Sequence, residues 1–420
     1  MAERKKSGRL LLKIVLKVLL LVLIISPLTV FFSIYLTNYL KLPNPNTAWV
    51  SWYNDPQHKV YIGWETDEET IGVVSYGQDP ANLIDSETEL STSRFHIVNI
   101  SSLDPDTKYY YSIDVDGEQY TTGSFRTAPD SPKPFTFGLS ADTQQKVGPG
   151  WHYKTAQILN KKNYSFFSMV GDYVENGGQA EWNHFFHEAA AYMDTIPFVP
   201  VIGNHDKNRT GEYYFLKYFA QTVDTIKGTN EYDTDYQFYY SFNWSNVHFQ
   251  ILHFPEIDID DDGEPDGLNP RDYNQAFTSD HLNWLENDLK NAQDKAFRIT
   301  LFHCPITGAG FYGKNHVLIE ELLPILLDYN VTATVHGHAH HYERGHFENT
   351  IHPGNDMHYF VVGCGGGLVD LGLQPIDETD VCFASPCYTE ASVTADSLTF
   401  TTYTFDGTTA DQITINTGGS

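Results

Sequence analysis

The sequence predicts a chain in three parts: an N-terminal transmembrane helix, an all-β sandwich, and an α/β domain with a metal site at one sheet edge. Three observations predict it. Val18–Leu40 carries no charged residue. Between Trp49 and Thr127, alternating apolar and polar segments are separated by turn residues. Beyond Pro134, five short apolar runs each lead into residues that bind metals.

As a helix, Val18–Leu40 would extend about 35 Å, enough to cross a bilayer. Arg4, Lys5, Lys6, Arg9, Lys13 and Lys17 precede it and Lys41 follows it. The positive-inside rule places such a basic tail in the cytoplasm and everything after Lys41 outside. Pro27 within the span is tolerated in transmembrane helices. A cleaved signal peptide is the competing reading, but the apolar stretch is long and lacks a convincing small-x-small cleavage site. Residues 1–41 are thus read as tail and anchor, and 42–48, with Pro43, Asn44, Pro45 and Asn46, as a linker.

Residues 49–128 read as all β. Lys59–Trp64, Gly72–Tyr76 and Tyr109–Val115 alternate as half-buried strands do. Leu103-Asp-Pro-Asp-Thr-Lys-Tyr109 resembles the tyrosine corner of a fibronectin type III sandwich, in which the hydroxyl of Tyr109 bonds the backbone just upstream. No residue here suggests chemistry, so the domain reads as a packing and spacing module. Pro129, Pro132 and Pro134 mark its end.

The α/β part spans 134–420. Phe135–Leu139 precedes Asp142, Phe166–Val170 precedes Asp172, and Phe198–Ile202 precedes Asn204, His205 and Asp206. Ile299–Phe302 precedes His303, and Val331–Val335 precedes His336-Gly-His338-Ala-His340. Short runs of Val, Ile and Phe are buried strands, and sites in open α/β sheets form at strand carboxyl ends. Carboxylate, amide and imidazole together suit Mn, Zn or Fe. The donors exceed what one tetrahedral ion takes, which implies two metals sharing a carboxylate. Leu282, Leu285 and Leu289 predict a helix over Ser279–Ala292, and Glu320–Tyr329 reads as another near Pro324. Leu398–Phe405, Asp406-Gly407 and Gln412–Asn416 read as a closing hairpin.

These motifs, in this order, resemble the metallophosphoesterase (calcineurin-like phosphoesterase) superfamily. Gly337–Arg344 is similar to the GHxHxYER pattern of purple acid phosphatases, which carry a fibronectin III-like sandwich before the catalytic domain. The resemblance implies a two-sheet sandwich flanked by helices and a pair of transition metals attacking phosphate esters through a bridging hydroxide. It implies Asp142 and His340 on the first metal, Asp172 as the bridge, and Asn204, His303 and His338 on the second. It makes His205 the acid that meets the phosphate or its leaving group, with Asp206 orienting it. Tyr342, Glu343 and Arg344 are implied to be supporting residues.

Two positions depart from that pattern. The ligand tyrosine of purple acid phosphatases falls here on Glu175, with Tyr173 in the wrong register. The histidine that many superfamily members place two residues after the first aspartate is Gln144, either a ligand through its amide oxygen or the holder of a water. His316, in the loop after His303, is either substrate-facing or an ordinary loop histidine. Asp258, Asp260, Asp262 and Asp266 lie in a D-x-D-x-D-G stretch that reads as a structural Ca²⁺ site or a solvated acidic loop.

Four cysteines suggest a local Cys382–Cys387 disulfide in an oxidising exterior, with Cys304 and Cys364 as buried thiols. Sequons at Asn99, Asn163, Asn208, Asn243 and Asn330 fit an external domain. The net charge is −28, and seven of the 26 basic residues lie in the first 41, so the remainder is more acidic still. Such a surface repels polyanions and excludes nucleic acid binding through a basic face. The expected function is a membrane-anchored, extracellular phosphoesterase acting on small phosphate monoesters. The alternatives are a phosphodiesterase with the same metals, or an inactive binding or adhesion ectodomain. Pocket walls decide between monoester and diester, in loops Val147–Trp151, Lys207–Gly228 and Gly308–Lys314.

Overall fold

The computed structural model describes residues 46–144, 151–207, 214–220, 239–253, 279–310, 313–366 and 369–417. The predicted anchor Val18–Leu40 and the calcium-loop residues Asp258, Asp260, Asp262 and Asp266 lie outside the described residues. Among the described residues, no helix is long and apolar enough to cross a membrane.

Residues 48–126 form seven strands in two antiparallel sheets. One sheet holds β1 (Ala48–Ser51), β2 (Val60–Thr70) and β5 (Ser93–Ile100), in the order β1-β2-β5. The other holds β3 (Gly72–Gly77), β4 (Asp85–Thr88), β6 (Lys108–Val115) and β7 (Glu118–Arg126), in the order β4-β3-β6-β7. Ile62, Trp64, Val74, Tyr111 and Ile113 are buried. The Tyr109 hydroxyl accepts the Asp104 amide at 3.0 Å, the corner that its spacing implied.

The rest is a second two-sheet sandwich. Its first sheet runs β10 (Phe198–Val201), β9 (Phe167–Val170), β8 (Phe135–Ser140), β18 (Cys387–Val393), β19 (Ser397–Thr404), β20 (Thr409–Asn416). The first three are parallel. The second sheet runs β11 (Tyr240–Trp244), β12 (Val247–Ile251), β13 (Phe297–Leu301), β14 (Ala333–His336), β16 (Met357–Val362), β15 (Tyr342–Phe347), β17 (Thr379–Phe383). In it β12, β13, β14 and β16 are parallel neighbours. Aromatic side chains fill the space between the sheets: Phe249 meets Phe137 and Phe166 at 5.2 Å between ring centres, and Phe360 meets Phe400 at 4.1 Å. Strands buried on both faces are mostly apolar and uncharged, which is why the five runs stand out in the sequence.

Four α-helices are described: α1 (Trp151–Leu159), α2 (Gln179–Ala189), α3 (Ser279–Asn291) and α4 (Leu323–Asp328). α3 buries Leu285 and Leu289 as its period requires. The helix expected at Glu320–Tyr329 forms. Leu318–Leu322 is a π-helical stretch that runs directly into α4, the change falling where Pro324 cannot supply the amide that a regular α-helical ladder needs. The closing hairpin forms with Gly407 at φ 88°.

The cysteine expectation is corrected. The disulfide joins Cys364 to Cys387, with Cα atoms 5.2 Å apart, and neither Cys304 nor Cys382 is in a disulfide. Cys382 lies on β17, paired opposite Glu343, in a different sheet from Cys387. The Cys387 amide instead bonds the Cys364 carbonyl at 2.9 Å, and the bridge ties the two sheets together. Cys387→Ser is expected to cost about 3 kcal/mol, the scale for a loop of this length, read as a lower melting temperature. An equal loss in Cys382→Ser would contradict the pairing.

Candidate metal and catalytic site

Residues from all five motifs meet where the strands end. Asp142, Asp172 and Asn204 follow the parallel strands β8, β9 and β10, while His303, His338 and His340 follow β13 and β14. The chain turns sharply there. Asp142, Asp172 and His338 have φ of 59°, 58° and 69°, a left-handed conformation that side chains with a Cβ adopt at a cost. It persists because neighbouring groups hold it. The Asp142 amide bonds the Gly171 carbonyl at 3.1 Å, and the His338 amide donates to both Asp142 carboxylate oxygens at 3.0 and 2.8 Å. A Cβ at Gly337 would lie 2.6 Å from the Val170 carbonyl and 2.7 Å from Asp142 Oδ2, so the backbone can pass only as glycine. His338 and His340 therefore do not share one face of an extended strand: β14 stops at His336, and the two rings serve different groups.

Those groups are Asp172–His303–His338 and Asp142–Asp172–His340, each with its donor atoms within 4.8 Å of one another. Asp172 belongs to both. Asn204 joins the first, its Oδ1 lying 3.1 Å from His303 Nε2 and 2.9 Å from His338 Nδ1. His303 Nδ1 donates to the Val170 carbonyl at 2.7 Å, which leaves Nε2 as its ligand atom. Gln144 joins the second, its Nε2 lying 3.2 Å from both Asp172 Oδ2 and His340 Nε2. Its Oε1 is buried without a hydrogen-bond partner. Amide O and N exchange places by a simple flip, which would turn the orphaned oxygen toward the Asp172 carboxylate and the His340 imidazole and so fit a cation. The residues present thus fit two transition metals bridged by Asp172.

Burial and neighbouring charges shift these groups in opposite directions. Burial opposes the Asp172 charge, but His303, His205 and His338 hold its carboxyl below the usual carboxylate range. Burial is likewise opposed at His303, where Asp172 lifts the imidazole to about 9. Burial raises the Asp142 carboxyl although His340 partly offsets it. Burial and the neighbouring His303 push His338 down to about 3, which keeps it the neutral ring a metal requires.

His205 stands against the shared carboxylate. Its amide donates to Asp172 Oδ1 at 2.9 Å, and its Nδ1 donates to the Glu175 carbonyl at 2.9 Å. Asp206 does not take the orienting role expected of it. Its fully buried carboxylate accepts the amides of Asp172, Gly203, Tyr173 and Val174, at 2.8, 2.8, 2.8 and 3.3 Å. The short 3₁₀ turn His205–Lys207 swings Asp206 back under the loops, where it clamps the Asp172 and Asn204 turns together.

Comparison with known proteins follows the same lines. Residues 135–342 match the calcineurin-like phosphoesterase family. This stretch is a calcineurin-like phosphoesterase domain. The chain is similar to Purple acid phosphatase 21 of Arabidopsis thaliana, 25% identical over 331 residues that cover 74% of this chain and 70% of that protein. Its fold is similar to a purple acid phosphatase from yellow lupin (Lupinus luteus) seeds, with a TM-score of 0.70 at 15% identity, covering 88% of this chain and 74% of the other. It is also similar to PhoD, with a TM-score of 0.67 at 14% identity, covering 90% and 94%. The chain therefore carries the machinery of a metal-dependent phosphoesterase.

Within the phosphoesterase domain, Tyr173 is no ligand. It is buried, and its hydroxyl donates to the Met169 and Val201 carbonyls, at 2.8 and 2.9 Å. The Tyr-Glu-Arg triplet is structural. Tyr342 and Arg344 reach Asp411 on β20 at 2.9 and 2.7 Å and so tie the two sheets. Glu343, fully buried, takes Tyr359, Thr379, His341 and the Ala309 amide, at 2.8, 2.7, 3.0 and 2.6 Å. His316 is exposed at the start of the turn before α4 and belongs to neither donor group. Sequence reasoning missed Asp370, whose Oδ2 accepts the His340 amide at 3.0 Å and lies 3.7 Å from His341 Nδ1. It follows a loop rather than a strand and carries no motif.

Proposed function

We propose that the chain is a membrane-anchored ectoenzyme that hydrolyses phosphate monoesters at a dinuclear metal centre. The observation that carries the chemistry is Asp172, a buried carboxylate common to two converging donor groups. Asp142, Asp172, His340 and Gln144 would hold one cation, and Asp172, Asn204, His303 and His338 the other. Bound there, the pair would supply Lewis acidity to the phosphoryl oxygens and an activated water. They would also draw an anionic substrate to an otherwise acidic protein.

The remaining work falls to the chain. His205, fixed through Nδ1 by the Glu175 carbonyl, presents Nε2 to give its proton to the leaving oxygen. Asp206 keeps the turns that carry Asp172 and Asn204 in register. The similarity to purple acid phosphatases supports a monoester substrate. It does not extend to purple colour, because Glu175 holds the tyrosine position and Tyr173 is bonded into the backbone. A diester substrate is the competing outcome. Purified ectodomain beginning near Pro43, assayed with aryl phosphate monoester and diester and with Mn, Zn or Fe added, should turn over the monoester faster and show no strong visible charge-transfer band. Faster diester turnover would reverse the preference, and no turnover with any metal would leave a binding ectodomain.

The placement rests on the uncharged Val18–Leu40 span and the basic residues before it. Protease added to intact cells should reach the phosphoesterase domain. Cleavage only after permeabilisation would overturn the orientation, and a mature protein lacking the first 40 or so residues would make the span a signal peptide.

A further inference from the structure

The sandwich of β1–β7 does more than hold the catalytic domain at a distance. Their apolar interiors are continuous: Trp52 packs against Trp244 at 5.1 Å and Trp49 against Phe186 at 4.7 Å between ring centres. At this seam lies a carboxylate, Glu65, that is 5% exposed. It sits on β2 where the pairing with β5 slips, between Glu65 and Thr70, and such bulges re-aim side chains. Its Oε2 accepts the Tyr218 hydroxyl at 2.7 Å and its Oε1 accepts Gln179 Nε2 at 3.1 Å. The guanidinium of Arg94 is 3.7 Å away. Tyr218 and Gln179 belong to the catalytic domain. A buried carboxylate costs free energy that a plain apolar contact would not, so a seam that had only to pack would not need one.

The partners are informative. Gln179 opens α2, and between it and Asp172 lies Glu175, whose carbonyl holds His205 Nδ1. Tyr218 lies in the Leu216–Ala220 turn, beyond His205 on its other side. Tyr214 reaches Gln179 Oε1 at 3.5 Å and Trp49 Nε1 donates to the Tyr218 carbonyl at 3.1 Å, so the two flanks are also tied to each other and to β1. The sandwich thus grips the segment whose Glu175 carbonyl holds His205 and the Leu216–Ala220 turn that follows His205 in the chain.

We propose that Glu65 is a positioning residue for His205: by fixing Gln179 and Tyr218 it sets the loop whose Glu175 carbonyl aims the imidazole. This rests on His205 being the acid. The test uses the full-length enzyme with Glu65→Gln, Gln179→Ala and His205→Ala, measuring kcat and KM on an alkyl and an aryl phosphate together with metal content. Glu65→Gln keeps the side chain's size but leaves one acceptor oxygen, which cannot take both Gln179 and Tyr218. It should lower kcat on the alkyl phosphate about 10-fold, the scale of outer partners at such sites, lower it less on the aryl phosphate, and leave KM and metal content unchanged. Gln179→Ala should do the same, and adding Glu65→Gln to His205→Ala should lower alkyl turnover no further. If Glu65→Gln fails to fold, the half-buried Gln179 carries the same comparison. Equal losses on both substrates, or losses that add to that of His205→Ala, would overturn the proposal while leaving the acid in place. A His205→Ala enzyme without leaving-group dependence would overturn both.

Discussion

Asp172→Asn is expected to release most of the bound metal and to abolish nearly all turnover. The substitution keeps the side chain's size and an oxygen for the His205 amide, now 2.9 Å from Oδ1, so the turn itself should survive. What it removes is the charge shared by both donor groups. A neutral amide cannot offset two cations from a buried position. The loss should exceed the roughly 10–100-fold that follows loss of an outer partner of a metal ligand. It should also exceed that of Asp142→Asn or His340→Ala, each of which touches one group. Two ions bound at full occupancy in Asp172→Asn would refute the bridge.

His205→Ala is expected to keep both metals and to lose activity by roughly 10²–10⁴-fold, the usual contribution of a general acid. His205 lies in neither donor group, and its contact to Asp172 is made by a backbone amide that alanine retains. The loss should be larger for alkyl than for aryl phosphates, since a poor leaving oxygen needs the proton more. Equal losses for the two would assign His205 a purely electrostatic role.

The parts of this molecule that sequence reveals are those dictated by local pattern. β8, β9, β10, β13 and β14 are buried on both faces, so each reads as a short apolar run, and their polar successors stand at the carboxyl edge. What escaped depends on distance along the chain. Cys382 and Cys387 are near in sequence, yet strand pairing sends them to different sheets. Asp206 adjoins His205, yet one 3₁₀ turn gives its carboxylate to the amides of Asp172 and Gly203. Glu65 lies in a stretch of acidic residues, Glu65-Thr-Asp-Glu-Glu69, that resembles a solvated edge. Its burial follows from a domain seam that no local pattern announces.

The central claim is a pair of metals bridged by Asp172, and metal stoichiometry tests it most directly. Purified protein beginning near Pro43, loaded and then freed of loose ions, should hold two transition-metal ions per chain. Chelation should remove phosphatase activity and metal together, and re-addition should restore both. Full activity with one ion per chain, or with none, would contradict the account.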